Sequence, residues 1–431
     1  MSIVSSLINA EGASTPLTVQ DTLFCSVLSD CSGKPDFKYV FDVYANGNQL
    51  TRVKLYPDPV SAYGYFDAGP SVRNEITYDF VNVILDTNAI EDPFLNLSGE
   101  PNQTSQIAIN YDIRFGEEYI SGGTYVSGSY VSGGTLVTLL NQSSATTKVY
   151  NYASPLFNRK SISNYTFYNK FLTNRPKKTN CRIDGNLLVP FKLPEGSNKY
   201  LGLKVIQYNE INSVVSTYNQ YNDGGSYQTL EVYEFYQLNI GPKAINLLLN
   251  SAGKAQIGSS TAYYDVQVLD LDTGTIVSDT FRVYVDCNPK YEPIDLYFMN
   301  QWGMFDTARF DLTSKLNMDI ERKSFNRKNY VTSNQYVLNY PRTETKINYG
   351  SKMNWTYKLT MNYPTDEEYV WLAELIASPQ IYAKFNEIED NFFMPVTIKN
   401  TNYEYSTNQN NGLKVLEIEV ELNQTRYGFL R

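Results

Sequence analysis

Histidine is absent from all 431 residues. With it goes the side chain most often used for acid–base work near neutral pH, and the commonest metal ligand. Cysteine is scarce: four residues, at positions 25, 31, 181 and 287, and no pair has the close spacing of a zinc half-site. Cys25 and Cys31 stand near enough for a local bridge in an oxidising setting; small buried or free thiols in a reducing compartment are the plainer reading. Lys and Arg number 36 against 45 Asp and Glu, a net charge of −9. A chain that neutralises nucleic-acid phosphates carries a basic footprint, so no nucleic-acid partner is expected. No window approaches the roughly 20 apolar residues of a membrane-spanning helix. Met1–Ala10 lacks the basic start and long apolar run of a signal peptide, so synthesis in a cytosol without membrane insertion is expected. No phosphate-cradling Gly-Lys-Ser/Thr loop and no nucleophile elbow occurs. No catalytic residue, cofactor or metal is therefore expected.

What the chain has in quantity is aromatic side chains, 37 Tyr and 21 Phe among them, spaced by Asn, Ser, Thr and Gly. Aromatic and β-branched residues suit pleated, half-buried surfaces, and Asn and Gly suit turns, so the fold class is mainly β. Phe37, Tyr39, Phe41 and Val43 alternate with outward residues, Asn46-Gly47 supplies a turn, and Leu50 to Tyr56 returns as the second arm of a hairpin. Ile107, Ile109, Tyr111, Ile113 and Phe115 alternate without a break. These patterns predict an N-terminal β-sandwich within residues 1–117. Residues 118–180 look like a Gly/Ser/Tyr-rich insertion and linker, in which Tyr-Val-Ser-Gly and Ser-Gly-Gly-Thr each occur twice. Tyr125 and Tyr130 in it are candidate interface residues, since Tyr offers contact area at low entropic cost, although a flexible insertion explains the same composition. Arg175-Pro176-Lys177-Lys178 suggests a solvated turn.

Residues 181–290 are expected to form a second β-sandwich, with Tyr264, Val266 and Val268 paired to Phe281, Val283 and Val285. A C-terminal β domain, 291–431, follows. It opens with a bend at Asn300 and Gly303 around Trp302 and continues through a basic segment, Arg322, Lys323, Arg327 and Lys328, on an extended alternating stretch. A solvated strand face or a contact with an acidic neighbour would both suit that segment. One short helix, 365–378, is predicted: Thr365 and Glu368 form a capping box, Tyr369, Leu372, Ala373 and Ile376 make an apolar stripe, and Pro379 ends it. Trp371 and Leu375 lie off that stripe and suggest a second contact surface.

Asp272-Thr273-Gly274 is the triplet of aspartic proteases, but no second copy supplies the paired carboxylate, and it stands where a hairpin needs its turn. Asp270-Leu271-Asp272-Thr273-Gly274 resembles the start of a calcium loop, yet the closing Glu is missing. Glu387, Glu389 and Asp390 suggest a solvated acidic loop.

The run Trp355-Tyr357-Leu359, the helix Thr365 to Pro379 and Met394-Pro395-Val396-Thr397-Ile398 together resemble virion structural proteins of tailed bacteriophages, above all those of Bacteroidetes-infecting and crAss-like gut phages. The hairpin Tyr39 to Tyr56 and Asn300-Gln301-Trp302-Gly303 are similar to the same group. The resemblance covers about half the chain and its motifs are structural. It implies a tail, baseplate or collar component built from tandem immunoglobulin-like β-sandwich modules, working as a symmetric homo-oligomer among other virion proteins and assembled in the host cytoplasm. The alternative is a receptor- or carbohydrate-binding protein that meets a host surface receptor or glycan through Tyr-rich loops near 119–131 or 218–236.

Overall fold

The computed structural model describes residues 24–45, 47–75, 108–121, 170–192, 200–223, 235–286, 291–326, 346–361, 364–385, 393–399 and 415–423, with short strands at 3–8, 17–18, 94–96, 124–127, 141–142, 147–150, 330–333, 336–339 and 426–428. The fold is mainly β. In the N-terminal module the expected hairpin forms from Lys38–Ala45 and Asn48–Leu55, turning at Gly47 with φ +84°. Tyr39, Phe41 and Val43 are fully buried, and Ala108–Ser121 pairs along the other side of their strand. A second sheet of Ile3–Ile8, Phe24–Ser29 and Gly64–Asp67 closes this core. Gly64 permits that closure, because a Cβ there would lie 2.4 Å from the Tyr39 ring.

The module borders differ from those expected. Thr124–Ser127, which includes Tyr125, folds back onto Glu118–Ser121, and Thr147–Tyr150 pairs with Ala108–Tyr111. The first part of the supposed insertion therefore extends the N-terminal sheet. In the other direction, Phe94–Asn96 pairs with Phe235–Asn239 and so belongs to the middle module, as do Lys170–Phe171 and Lys178–Arg182. Border placement from sequence fails here because strand pairing is set by tertiary contact, not by nearness along the chain.

The middle module sets a four-stranded sheet against a five-stranded one; in the latter the two expected strands pair in the register Tyr264↔Val283 and Val266↔Phe281, which leaves Val268 beyond the paired segment. It also holds a helix, Pro242–Ser251, that the sequence reading missed. No side chain caps its start, so it carries no capping box. Its signals are Pro242 in the first turn, the apolar row Ile245, Leu248 and Leu249, and Gly253 at φ +64° just beyond its end.

The C-terminal module is built on an antiparallel eight-stranded sheet, with a separate two-stranded pair formed by Tyr330–Ser333 and Tyr336–Asn339. The larger sheet's main order runs Phe305–Phe310, Ile294–Met299, Ile381–Lys384, Phe393–Ile398, Leu416–Leu422, Lys346–Met361, Lys315–Asn326. The helix Asp366–Ala377 lies against it, and both halves of the capping box are present: Glu368 N donates to Thr365 Oγ1 at 3.2 Å and Thr365 N to Glu368 Oε2 at 2.9 Å. Its buried face is one residue away from the expected stripe. Trp371, Leu372 and Leu375 are the buried residues, whereas Tyr369, Ala373 and Ile376 are only partly covered. Fully burying a large apolar side chain stabilises by about 1.5–3 kcal/mol, which favours the face that carries Trp371.

Candidate functional site

The eight-stranded sheet ends in two edges of opposite character. At one end, Phe305–Phe310 is buried against the middle module. Gln237, itself fully buried, donates from Nε2 to Phe305 O at 2.8 Å and accepts from Phe305 N at Oε1 at 3.2 Å. One amide thus satisfies both outward backbone groups of a residue on the edge strand. Thr307 is held similarly: its Oγ1 accepts from Leu188 N at 3.2 Å, and its carbonyl accepts from the Arg175 guanidinium.

Arg175 is the centre of this joint, not part of a solvated turn. It is 7% exposed, and its guanidinium lies 4.3 Å from the Trp371 ring centroid. Asp306 beneath it accepts from Thr173 Oγ1 at 2.6 Å and Trp371 Nε1 at 2.9 Å. Burial lowers the Arg175 pKa and raises that of Asp306, and in each case the partner's charge opposes the shift. Trp371 and Leu375, the candidate interface residues expected to form a second contact surface, are 3% and 0% exposed. Trp371 does supply a second contact surface, but it faces this chain's own Arg175 and Asp306. Leu375 packs in the core of the C-terminal module. Beside them Glu374 accepts from Asn174 Nδ2 and from Gln301 N; burial lifts its carboxyl to about 7 despite both bonds.

At the other end, Lys315–Asn326 pairs over its whole length with Lys346–Met361, and no strand among the described residues pairs with its outer side. Arg426–Gly428 adds a third strand, also on Lys346–Met361. All of Lys315–Asn326 is exposed except half-buried Ser324. Leu316, Met318 and Ile320 project to one face at 48%, 44% and 38% exposure, opposite Tyr357, Trp355 and Met353. Arg322 and Lys323 are exposed on this arm, whereas Arg327, Lys328 and Tyr130 lie outside the described residues. The expected interface residues therefore do not converge: Tyr125 sits on the N-terminal sheet, Arg322 and Lys323 on the arm, Trp371 and Leu375 inside.

The catalytic-looking triplet is a turn. Asp270 Oδ1 accepts from Asp272 N at 2.9 Å, Gly274 N donates to Asp270 O at 2.7 Å, and Gly274 has φ +71°. Asp272 itself is exposed. Among the described residues no cluster of three or more His, Cys, Asp or Glu could hold a metal, and no helix is long and apolar enough to cross a membrane. Cys25 and Cys31 are unbridged. Cys25 Sγ instead donates to Phe66 O at 3.3 Å, and burial, with Asp67, pushes its thiol up to about 12. The acidic segment at 387–390 and most of the Tyr-rich stretch at 218–236 lie outside the described residues.

No family model and no curated protein matches the chain. Among solved structures it is similar to trypsin-activated alpha-2-macroglobulin from Escherichia coli, at 9% identity over 84% of this chain and 26% of that one, with a TM-score of 0.18. The chain thus spans about a quarter of that structure's length, and a likeness at this TM-score carries no argument.

Proposed function

We propose that the chain is a non-enzymatic structural or adaptor component of a tailed-phage virion, in the tail, baseplate or collar, built of immunoglobulin-like modules and working as a symmetric multimer. The carrying observation is the arm: a twelve-residue edge strand exposed on both faces, with Leu316, Met318 and Ile320 in a row on one of them. A long strand edge without a neighbouring strand, here with an apolar row on one face and charges on the other, is a template for pairing with another chain. The same sheet closes its opposite edge with buried Gln237 and Arg175, so among the described residues bareness is a property of one end alone. The sequence resemblance supplies the virion setting. Gold-labelled antibody against the chain, imaged on purified particles of the phage that encodes it, is expected to mark a fixed position on the tail or collar. Protein confined to the soluble fraction of infected cells would refute the role.

A further inference from the structure

We infer that two copies of this chain pair edge to edge through Lys315–Glu321, antiparallel about a two-fold axis at Met318. The inference extends the assembly reading by naming the self-contact, and it holds whether or not the assembly is a virion. Backbone N–H and C=O groups on the bare edge can be satisfied by water or by another strand, and only another strand also covers the side chains beside them. In an antiparallel pair, directly opposed residues share a face, so a two-fold axis at one residue opposes positions equally distant on either side.

With Met318 on the axis, Leu316 meets Ile320 of the second copy, Asn317 meets Asp319, and Lys315 meets Glu321. Apolar opposes apolar on the face where Leu316, Met318 and Ile320 are exposed. On the wet face an amide opposes a carboxylate and an ammonium opposes a carboxylate, each twice by symmetry. Neighbouring choices are worse. An axis at Asp319 sets that carboxylate against itself and Lys315 against Lys323, whereas an axis at Asn317 sets Ile320 against Ser314. Opposite charges directly across a strand pair stabilise and like charges destabilise, so the strand's own sequence selects the register. The arm's β-bulge falls between Lys323 and Ser324, beyond the paired segment. An interface this short is small, and a concentration-dependent dimer is the form expected.

Sedimentation velocity and native mass spectrometry of the full chain test this. The wild-type chain is expected to pass from monomer to dimer with concentration. Lys315→Glu and Glu321→Lys should each weaken dimerisation by about tenfold or more, since each turns two attractive cross-strand pairs into two repulsive ones. An equimolar mixture of the two variants should dimerise like the wild type. The new carboxylate of one copy then meets the new ammonium of the other, and native Glu321 meets native Lys315. Rescue by mixing also excludes misfolding as the cause of the single-variant loss. A wild-type chain that stays monomeric, charge reversals without effect, or a mixture that fails to dimerise would each overturn the pairing. Labelled particles with a monomeric chain would remove this inference and keep the virion role; a two-fold dimer that never enters particles would do the reverse.

Discussion

The two edges of the C-terminal sheet face the same physical problem and solve it differently. Each has backbone groups on its outer side that no neighbouring strand of the sheet can take. At Phe305–Phe310 the answer is side chains: the Gln237 amide on Phe305, the Arg175 guanidinium on the Thr307 carbonyl, the Thr307 hydroxyl on Leu188. At Lys315–Asn326 no described residue provides an answer. The contrast teaches that edge closure here is not a matter of strand composition. Both strands carry apolar residues, and what differs is whether another module of the chain brings polar side chains to the edge. The closed edge holds two modules together, and the bare one is left to meet something else.

The strongest way to break the comparison is to remove the cation from the closed edge. Arg175→Ala leaves Asp306 buried without its partner charge and Thr307 O without its donor. Leaving buried polar groups without their partners costs about 1–3 kcal/mol each, to be read as a lower urea midpoint. An unchanged midpoint would show that the joint contributes nothing to folding. Gln237→Leu keeps the volume and removes both bonds to Phe305. The stranded N–H and carbonyl should together cost about 3 kcal/mol, measured in the same unfolding experiment.

Nothing in sequence periodicity marks Gln237 for this work. It is a polar residue on a strand, as many outward residues are, and its partner lies 68 positions further on. Arg175 misleads more actively, because a cation followed by Pro176, Lys177 and Lys178 has the composition of a wet turn. Its burial is decided by the module that packs over it. Local signals fared better where the physics is local. The capping box needs only Thr365 and Glu368, and the hairpin only an alternating strand and Gly47. The helix face is an intermediate case. Spacing shows that apolar rows exist, but Tyr369–Leu372–Ala373–Ile376 and Trp371–Leu372–Leu375 overlap, and the surface beneath selects between them. On the arm, the extended alternating stretch around Arg322 and Lys323 is legible, whereas the exposed row Leu316, Met318 and Ile320 and its bareness depend on what the rest of the fold leaves uncovered.

Glu374, bonded to Asn174 and Gln301 beside the closed edge, ties folding stability to pH. Its carboxyl is raised by burial from an ordinary 4.5 to about 7. Between those values the folded chain holds a proton that the unfolded chain has released. The stability this contributes is complete below pH 4.5 and is lost as pH rises through 7. Glu374→Gln mimics the protonated form. It should match the wild type near pH 4.5 and exceed it above pH 7. The gain, reduced for the residue's partial exposure, is about 2–3 kcal/mol. Urea unfolding of both chains across that window is the check, and parallel pH profiles would mean that the carboxyl titrates as in water.

The smallest effect on folding belongs to the bare edge. Met318 is 44% exposed on a strand whose outer side no described residue covers. Met318→Lys should change unfolding free energy by no more than about 0.5 kcal/mol, yet abolish self-association, because two ammonium groups would meet on the axis. Hydrogen exchange reads the two edges in one experiment. The Phe305 amide, bonded to Gln237, should exchange only by opening of the joint, at a rate independent of protein concentration. The outward amides of Lys315–Glu321 should exchange quickly in dilute protein and slow as the concentration rises, and in the Met318→Lys chain they should stay fast throughout. Outward arm amides as slow as Phe305 in dilute protein would mean that the edge is covered within one chain. The same charge placed at Thr307, which is 2% exposed, would damage folding directly, because there the edge and the module joint are one structure.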